Sequence, residues 1–206
     1  STGRGCSVCS GYKVVNSNCL ATTHPHLTKE WHPKMNGQLR PSDVTYGSNK
    51  KVWWICLKGS DHIWEASISN RSRLNRGCPV CYGRKVVESN CLSTTHPNLS
   101  KEWHPTKNGT LNPENVISGS NKKVWWKCPK GDDHEWLSNI ANRALLKRSC
   151  PVCYGLKVVN SNCLATTHPH LAREWHNKKN GDLTPFNVIG GGKKEWNGIF
   201  LPLAER

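Results

Sequence analysis

Apolar residues enter this chain in short bursts, and the clearest burst alternates. In Lys123-Val124-Trp125-Trp126-Lys127-Cys128, positions 124, 126 and 128 share one face of an extended chain, and positions 123, 125 and 127 share the other. A β-rich run of this length predicts a strand. Pro129-Lys130-Gly131-Asp132-Asp133 reads as a turn. Beyond His134, the alternation of Trp136, Ser138 and Ile140 predicts the returning strand, with a short helix in 141–146. The same hairpin is written upstream, where Trp54 faces inward and Trp53 lies outside beside Lys51.

Between the hairpins the pattern changes. Residues 85–87 predict a short strand. Residues 95–103 predict a short helix, with Pro97 in its first turn and Leu99 and Trp103 as an i, i+4 apolar pair. Asn108-Gly109 is a turn, and Leu111, Pro113 and Val116 lead extended chain into the next strand.

These patterns repeat every 72 residues. Cys6, Cys78 and Cys150 are spaced so, as are Cys19, Cys91 and Cys163, and Trp31, Trp103 and Trp175. The run SGSNKKVWWKC at 118–128 against YGSNKKVWWIC at 46–56 points to duplication. The organisation expected is a partial repeat at 1–45 and a hairpin unit at 46–83. A helix-bearing linker at 84–117, a second unit at 118–155 and a partial third repeat at 156–206 follow. The third copy holds to Lys193-Lys194 and then diverges: Trp196 matches Trp125, but Ile199 stands where Cys128 would be, and the chain ends GIFLPLAER. The first copy is expected to begin part-way through a longer array.

Composition sharpens this picture. Hydrophobic residues are 35% of the 206, too few for one large core, so units this small need a staple. Cysteine supplies a candidate. Two stretches share the spacing Cys-x5-His-x15-Cys-Pro-Val-Cys: Cys56, His62, Cys78 and Cys81, then Cys128, His134, Cys150 and Cys153. Three thiolates and one imidazole suit a closed tetrahedral zinc site with no open position for chemistry. Each Cys-Pro-x-Cys is followed by Tyr-Gly, where Gly tolerates the positive φ of a tight metal knuckle. The competing reading is buried thiols or disulfides, but eleven cysteines is an odd number for a closed disulfide framework. Two zinc ions per chain are expected, and Cys6 with Cys9 forms a further partial site. Thiolate ligands imply a reducing, intracellular compartment. A weaker cluster of Cys19, His24 and His32, with Glu30, recurs at 72-residue spacing as Cys91, His96 and His104 and as Cys163, His168 and His176. It is a second metal candidate, against a small-hydrophobe role for the cysteine.

The fold class expected is therefore small metal-stapled α+β: tandem β-hairpins with short helical linkers at a 72-residue period, which the resemblance below makes zinc-ribbon or treble-clef repeats. The residues that carry it are Glu102-Trp103-His104-Pro105 with Asn108-Gly109, Ser120 to Cys128, His134 and Trp136, Asn142-Arg143, and Cys150 to Cys153. With their upstream copies from Glu30 to Cys81, they resemble the treble-clef or probable zinc-ribbon repeat family met beside very-short-patch-repair-type endonuclease domains. The resemblance implies zinc binding and, through its nuclease association, contact with DNA.

Charge bears on partners. The formal net charge is +15, and two Cys3His zinc sites leave the chain strongly basic, which implies a polyanion. Lys51, Trp53, Lys123, Trp125 and Lys127 form the outer faces of the strands. There Trp125 either stacks on a base or packs over Leu111 and Val116. Arg71, Arg73, Arg76, Arg143, Lys147 and Arg148 are read as phosphate contacts, against a merely solvated charge run. DNA is placed ahead of RNA. A structural zinc protein within a larger protein or ribonucleoprotein assembly, and a protein-interaction array, are the alternatives. No HExxH, phosphate loop or nucleophile elbow is present, so a non-catalytic role is expected. No apolar run is long enough to span a membrane.

Overall fold

The computed structural model of the chain describes residues 6–190. The divergent tail, with Trp196 and Ile199, lies outside the described residues. The described residues fall into two compact units, one from 6–100 with Leu111–Gly119, the other from Lys101–Thr110 with 120–190. The stretch 84–117 is thus divided between them.

In the first unit, β1 (Lys51–Ile55) pairs antiparallel with β2 (Ile63–Ser67), setting Trp54 opposite Trp64 and Val52 opposite Ala66. Burial along β1 alternates as the sequence pattern requires: Val52 and Trp54 are buried, Lys51 is exposed and Trp53 is half-buried. Helix α3 (Ile68–Ser72) follows at once, with the Ser67 side chain accepting the Asn70 N–H as its cap. The second unit repeats the hairpin and helix, without the side-chain cap, as β3 (Lys123–Lys127), β4 (Glu135–Asn139) and α6 (Ile140–Ala144), and Trp126 stands opposite Trp136. Each central Trp has its indole N–H satisfied: Trp54 donates to the Ala66 carbonyl and Trp126 to the Ser138 carbonyl, both at 3.1 Å.

A two-stranded hairpin is marginal alone, and its outer edge invites mispairing. The repeated run Glu-Trp-His-Pro-x-x-Asn-Gly covers that edge. Trp31 lies edge-on to Trp54 with ring centres 5.5 Å apart. Asn36 grips the Trp53 backbone, its amide donating to the carbonyl (2.9 Å) while its oxygen accepts the N–H (2.8 Å). Asn108 holds Trp125 in the same way, at 3.0 and 2.7 Å. The core of the first unit gathers under this arrangement from Leu20, Leu27, Val44, Val52, Trp54, Trp64, Ile68 and Val80.

The segments after the knuckles depart from expectation twice. The single helix predicted in 95–103 is two single-turn helices, α4 (Leu92–Thr95) and α5 (Pro97–Ser100). His96 sits between them at φ −139° and ψ 63°, because the ring of a following proline excludes the helical region for the residue before it. The same break separates α1 (Leu20–Thr23) from α2 (Pro25–Thr28), and α7 (Leu164–Thr167) from α8 (Pro169–Arg173). The short strand predicted at 85–87 does not form. The Val87 N–H is taken by the Asn90 side chain at 2.9 Å, which opens a single 3-10 turn at Glu88–Asn90. Among the described residues no helix is long and apolar enough to cross a membrane.

Candidate metal centre

Each hairpin delivers two donors from its own turn. Cys56 follows β1 and His62 precedes β2, and the Cys56 N–H donates to the His62 carbonyl at 3.0 Å. The turn between them passes so close to the imidazole that a Cβ on Gly59 would come within 2.7 Å of the ring, as would one on Gly131 beside His134. The other two donors come from the knuckle. The Tyr82 N–H returns to the Cys78 carbonyl and the Gly83 N–H to that of Val80, at 3.2 and 3.0 Å, with Gly83 at φ +66°. Val80 is buried and anchors the knuckle in the core.

Folding brings the four predicted donors of each unit together, all within 4.8 Å of one another. In the first unit the separations are 3.7 Å for Cys56 Sγ to Cys81 Sγ, 3.7 Å for Cys78 Sγ to His62 Nδ1 and 3.5 Å for Cys81 Sγ to His62 Nδ1. In the second they are 3.7, 3.9 and 3.4 Å for the matching pairs. A tetrahedral zinc ion about 2.3 Å from sulfur and about 2.0 Å from nitrogen sets its donors about 3.5–3.8 Å apart, so both clusters fit it. No disulfide forms among the described residues, where all eleven cysteines are free.

Burial, and then the neighbouring thiols Cys56 and Cys78, push the Cys81 thiol up to about 11; Cys153 is raised likewise by burial and by Cys128 and Cys150. Such crowded sulfurs resist becoming thiolates unless a cation sits among them.

The imidazole orientation is fixed from behind. His62 turns Nδ1 to the sulfurs, so Nε2 carries the proton and points to Ser89 Oγ at 3.3 Å. Ser89 in turn donates its hydroxyl and its N–H to the Asp61 carboxylate, at 2.9 and 2.8 Å. The backbone N–H of Ser89 is the first cause holding the Asp61 carboxyl below its ordinary range. His134, Ser161 and Asp133 repeat the relay, with Ser161 to Asp133 contacts of 2.8 Å. The Asp-His and Ser-Asn pairs at 61–62 and 89–90 recur 72 residues on, a signal unused in reading the sequence. Replacing Ser161 by Ala is expected to weaken zinc at the second site about 10- to 100-fold, with the first site unchanged, as competition against a chromophoric chelator will show.

A model of the Probable Treble clef zinc finger domain matches residues 27–84 and again residues 99–156. The chain belongs to this treble clef family. Each matched copy contains one complete donor set, so the treble clefs number two and bind two zinc ions per chain. No curated protein matches the chain.

Outside the two treble clef sites, Cys6 and Cys9 sit on a knuckle of like shape, with Gly11 at φ +79° and Asn18 donating to the carbonyls of Val8 and Lys13, as Asn90 does to those of Val80 and Lys85. Both thiols are exposed, and no Cys-x5-His pair joins them among the described residues. The Cys19 cluster does not assemble as a metal site. Cys19, Cys91 and Cys163 are buried, with their sulfurs on the Asn16, Glu88 and Asn160 carbonyls and on nearby hydroxyls.

Of the basic residues read as nucleic-acid contacts, Lys51, Arg73, Arg76, Lys123, Lys147 and Arg148 are exposed. Lys127 is half-buried, its ammonium 3.7 Å from Asp132. Trp53 and Trp125 are half-buried, and the Lys107 ammonium lies 5.0 Å from the Trp125 ring centre. Arg71 and Arg143 are a correction. They are only 5% and 7% exposed and cannot reach a phosphate. Arg71 is ion-paired with Glu30 and lies over Trp54 and Trp64 at 5.2 and 5.3 Å. Arg143 is ion-paired with Glu102 and lies over Trp126 and Trp136 at 5.1 and 5.0 Å. Each stands three residues after the buried Ile that opens its helix, so it shares that inward face.

Proposed function

We propose that the two treble clefs form a non-catalytic nucleic-acid-binding module, with DNA ahead of RNA as its target. The observation that carries this reading is the set of cations left at the surface. Lys51 and Arg76 in one unit, and Lys123 and Arg148 in the other, stand at equivalent positions beside the strand and before the knuckle. All are exposed, and no carboxylate among the described residues pairs with them. With a formal charge of +15 there is far more cation than internal pairing uses. Phosphate contacts of this kind position a protein on a backbone without reading bases. The longest described helices have five residues, which leaves no recognition helix for a groove among them.

Binding to duplex DNA, single strands and RNA across a salt series tests it. Replacing Arg76, Lys147 and Arg148 by Ala is expected to weaken binding and to flatten the log–log salt slope by roughly 0.9 per lost phosphate contact on a duplex. An unchanged slope, or no salt-dependent affinity, sinks the reading. The second unit also exposes Leu137, Leu145, Leu146 and Leu156, which favours a protein partner as the alternative.

A further inference from the structure

One cleft in the first unit is not used by the zinc site. It is open, has a volume of about 550 Å³, and its walls include Lys51, Glu65, Arg76, Gly77, Tyr82 and Arg84. That volume falls within the roughly 300–1,000 Å³ typical of small-ligand sites. Three cations and one carboxylate meet there around an aromatic ring. Tyr82 is 68% exposed, and two neighbours flank its ring. The Arg84 guanidinium lies 5.8 Å from its centre, and a Cβ on Gly77 would come within 2.8 Å of its edge. An exposed aromatic ring with a guanidinium over it presents a cationic π surface to solvent.

We infer that this cleft seats an unpaired nucleobase of a single-stranded nucleic acid, stacked on Tyr82, with Lys51, Arg76 and Arg84 on the flanking phosphates. This rests on the nucleic-acid reading above. Glu65 on the wall repels phosphate and offers an acceptor to the exocyclic amino group of a base, while the three cations beside it suit the flanking backbone. Bases in a duplex keep their faces stacked and offer none to the ring, whereas single strands do. The duplication supplies a comparison inside the same chain. Tyr154 is as exposed as Tyr82, but Leu137, Ser149 and Leu156 stand where the first unit has Glu65, Gly77 and Arg84. The second unit therefore has the ring without the glycine, the acid or the added cation.

The test uses the zinc-loaded chain and measures anisotropy of a labelled single-stranded oligonucleotide and of the duplex of the same sequence. Tyr82→Ala is expected to lower single-strand affinity about tenfold, the loss of one stacked base. Duplex affinity is expected to stay within about twofold, the effect of an ordinary surface change. Tyr82→Phe keeps the ring and should keep the affinity, and Arg84→Leu should move toward the alanine result. Tyr154→Ala should change neither. Zinc content of two ions per chain checks that each variant is folded. Equal losses on both oligonucleotides, no loss at Tyr82, or an equal loss at Tyr154 would each overturn this inference while leaving salt-dependent binding intact. Absence of salt-dependent binding to any nucleic acid removes the functional reading and this site with it.

Discussion

Chelation of zinc is expected to unfold both units, not merely to loosen their knuckles. Each unit rests on one pair of five-residue strands and helices of a single turn, elements that do not hold alone in water. The knuckle and the hairpin turn are far apart in sequence, Cys81 standing 25 residues after Cys56, and the four donors converge from both. Structural zinc contributes on the order of 10–16 kcal/mol in small fingers, comparable to or above the whole stability of an ordinary domain, about 5–15 kcal/mol. Removing it also leaves crowded thiols, with Cys81 raised to about 11, so zinc entry must displace its proton and acid favours release. The buried Trp54 and Trp126 report the outcome. Near-ultraviolet circular dichroism should collapse on adding excess chelator and return with zinc. Cys78→Ser should reduce zinc to about one ion per chain and unfold only the first unit, since each donor set lies within its own unit. Tryptophan signals that survive complete zinc removal would show that the apolar core suffices, and the stapled architecture would lose its physical basis.

The parts legible in sequence share one property: their signal is local or strictly periodic. The hairpins were written in the alternation of Val124, Trp126 and Cys128. The donor sets are written in a spacing that occurs twice, and that spacing alone points to all eight ligands. What stayed hidden depends on distant partners. Arg143 reads as the head of a basic run because its neighbours Lys147 and Arg148 are exposed, whereas its partner Glu102 lies 41 residues upstream. Ser89 looks like an unremarkable turn residue until folding sets it beside Asp61, 28 residues away. The edge clamp of Asn36 on Trp53 spans 17 residues, and Asn-Gly by itself signals only a turn. The His96 break was readable from Pro97 alone, but the apolar pair Leu99 and Trp103 suggested a continuous helix and hid the local steric rule.

Arg143→Ala should be strongly destabilising although it stands in a run of surface cations. The guanidinium is enclosed by Trp126 and Trp136, paired with Glu102, and donates to the Arg148 carbonyl at 2.6 Å; its Nε is buried with no hydrogen-bond acceptor. A planar, weakly hydrated cation tolerates this place between two indoles, and a lysine ammonium does not. Truncation removes the packing between the rings and strands the Glu102 carboxylate. Breaking one side of a buried pair costs about 3–5 kcal/mol. Glu102 keeps 29% of its side chain in contact with solvent and can rehydrate in part, which places the expected loss near the lower end of that range, about 3 kcal/mol. Arg71→Ala in the first unit should behave alike, since Glu30, Trp54 and Trp64 repeat the environment. Arg148→Ala, on the exposed part of the same run, should fall within about 0.5 kcal/mol of the parent. Denaturant unfolding of the zinc-loaded chain separates the two positions. The double change Arg143→Leu with Glu102→Leu sharpens the test, because a buried pair replaced by apolar groups is often neutral. If the double variant is as unstable as Arg143→Ala, the cation holds the tryptophans apart by shape and the stranded carboxylate is not the cost. If Arg143→Ala is no worse than Arg148→Ala, the enclosed guanidinium does not hold the unit together at all.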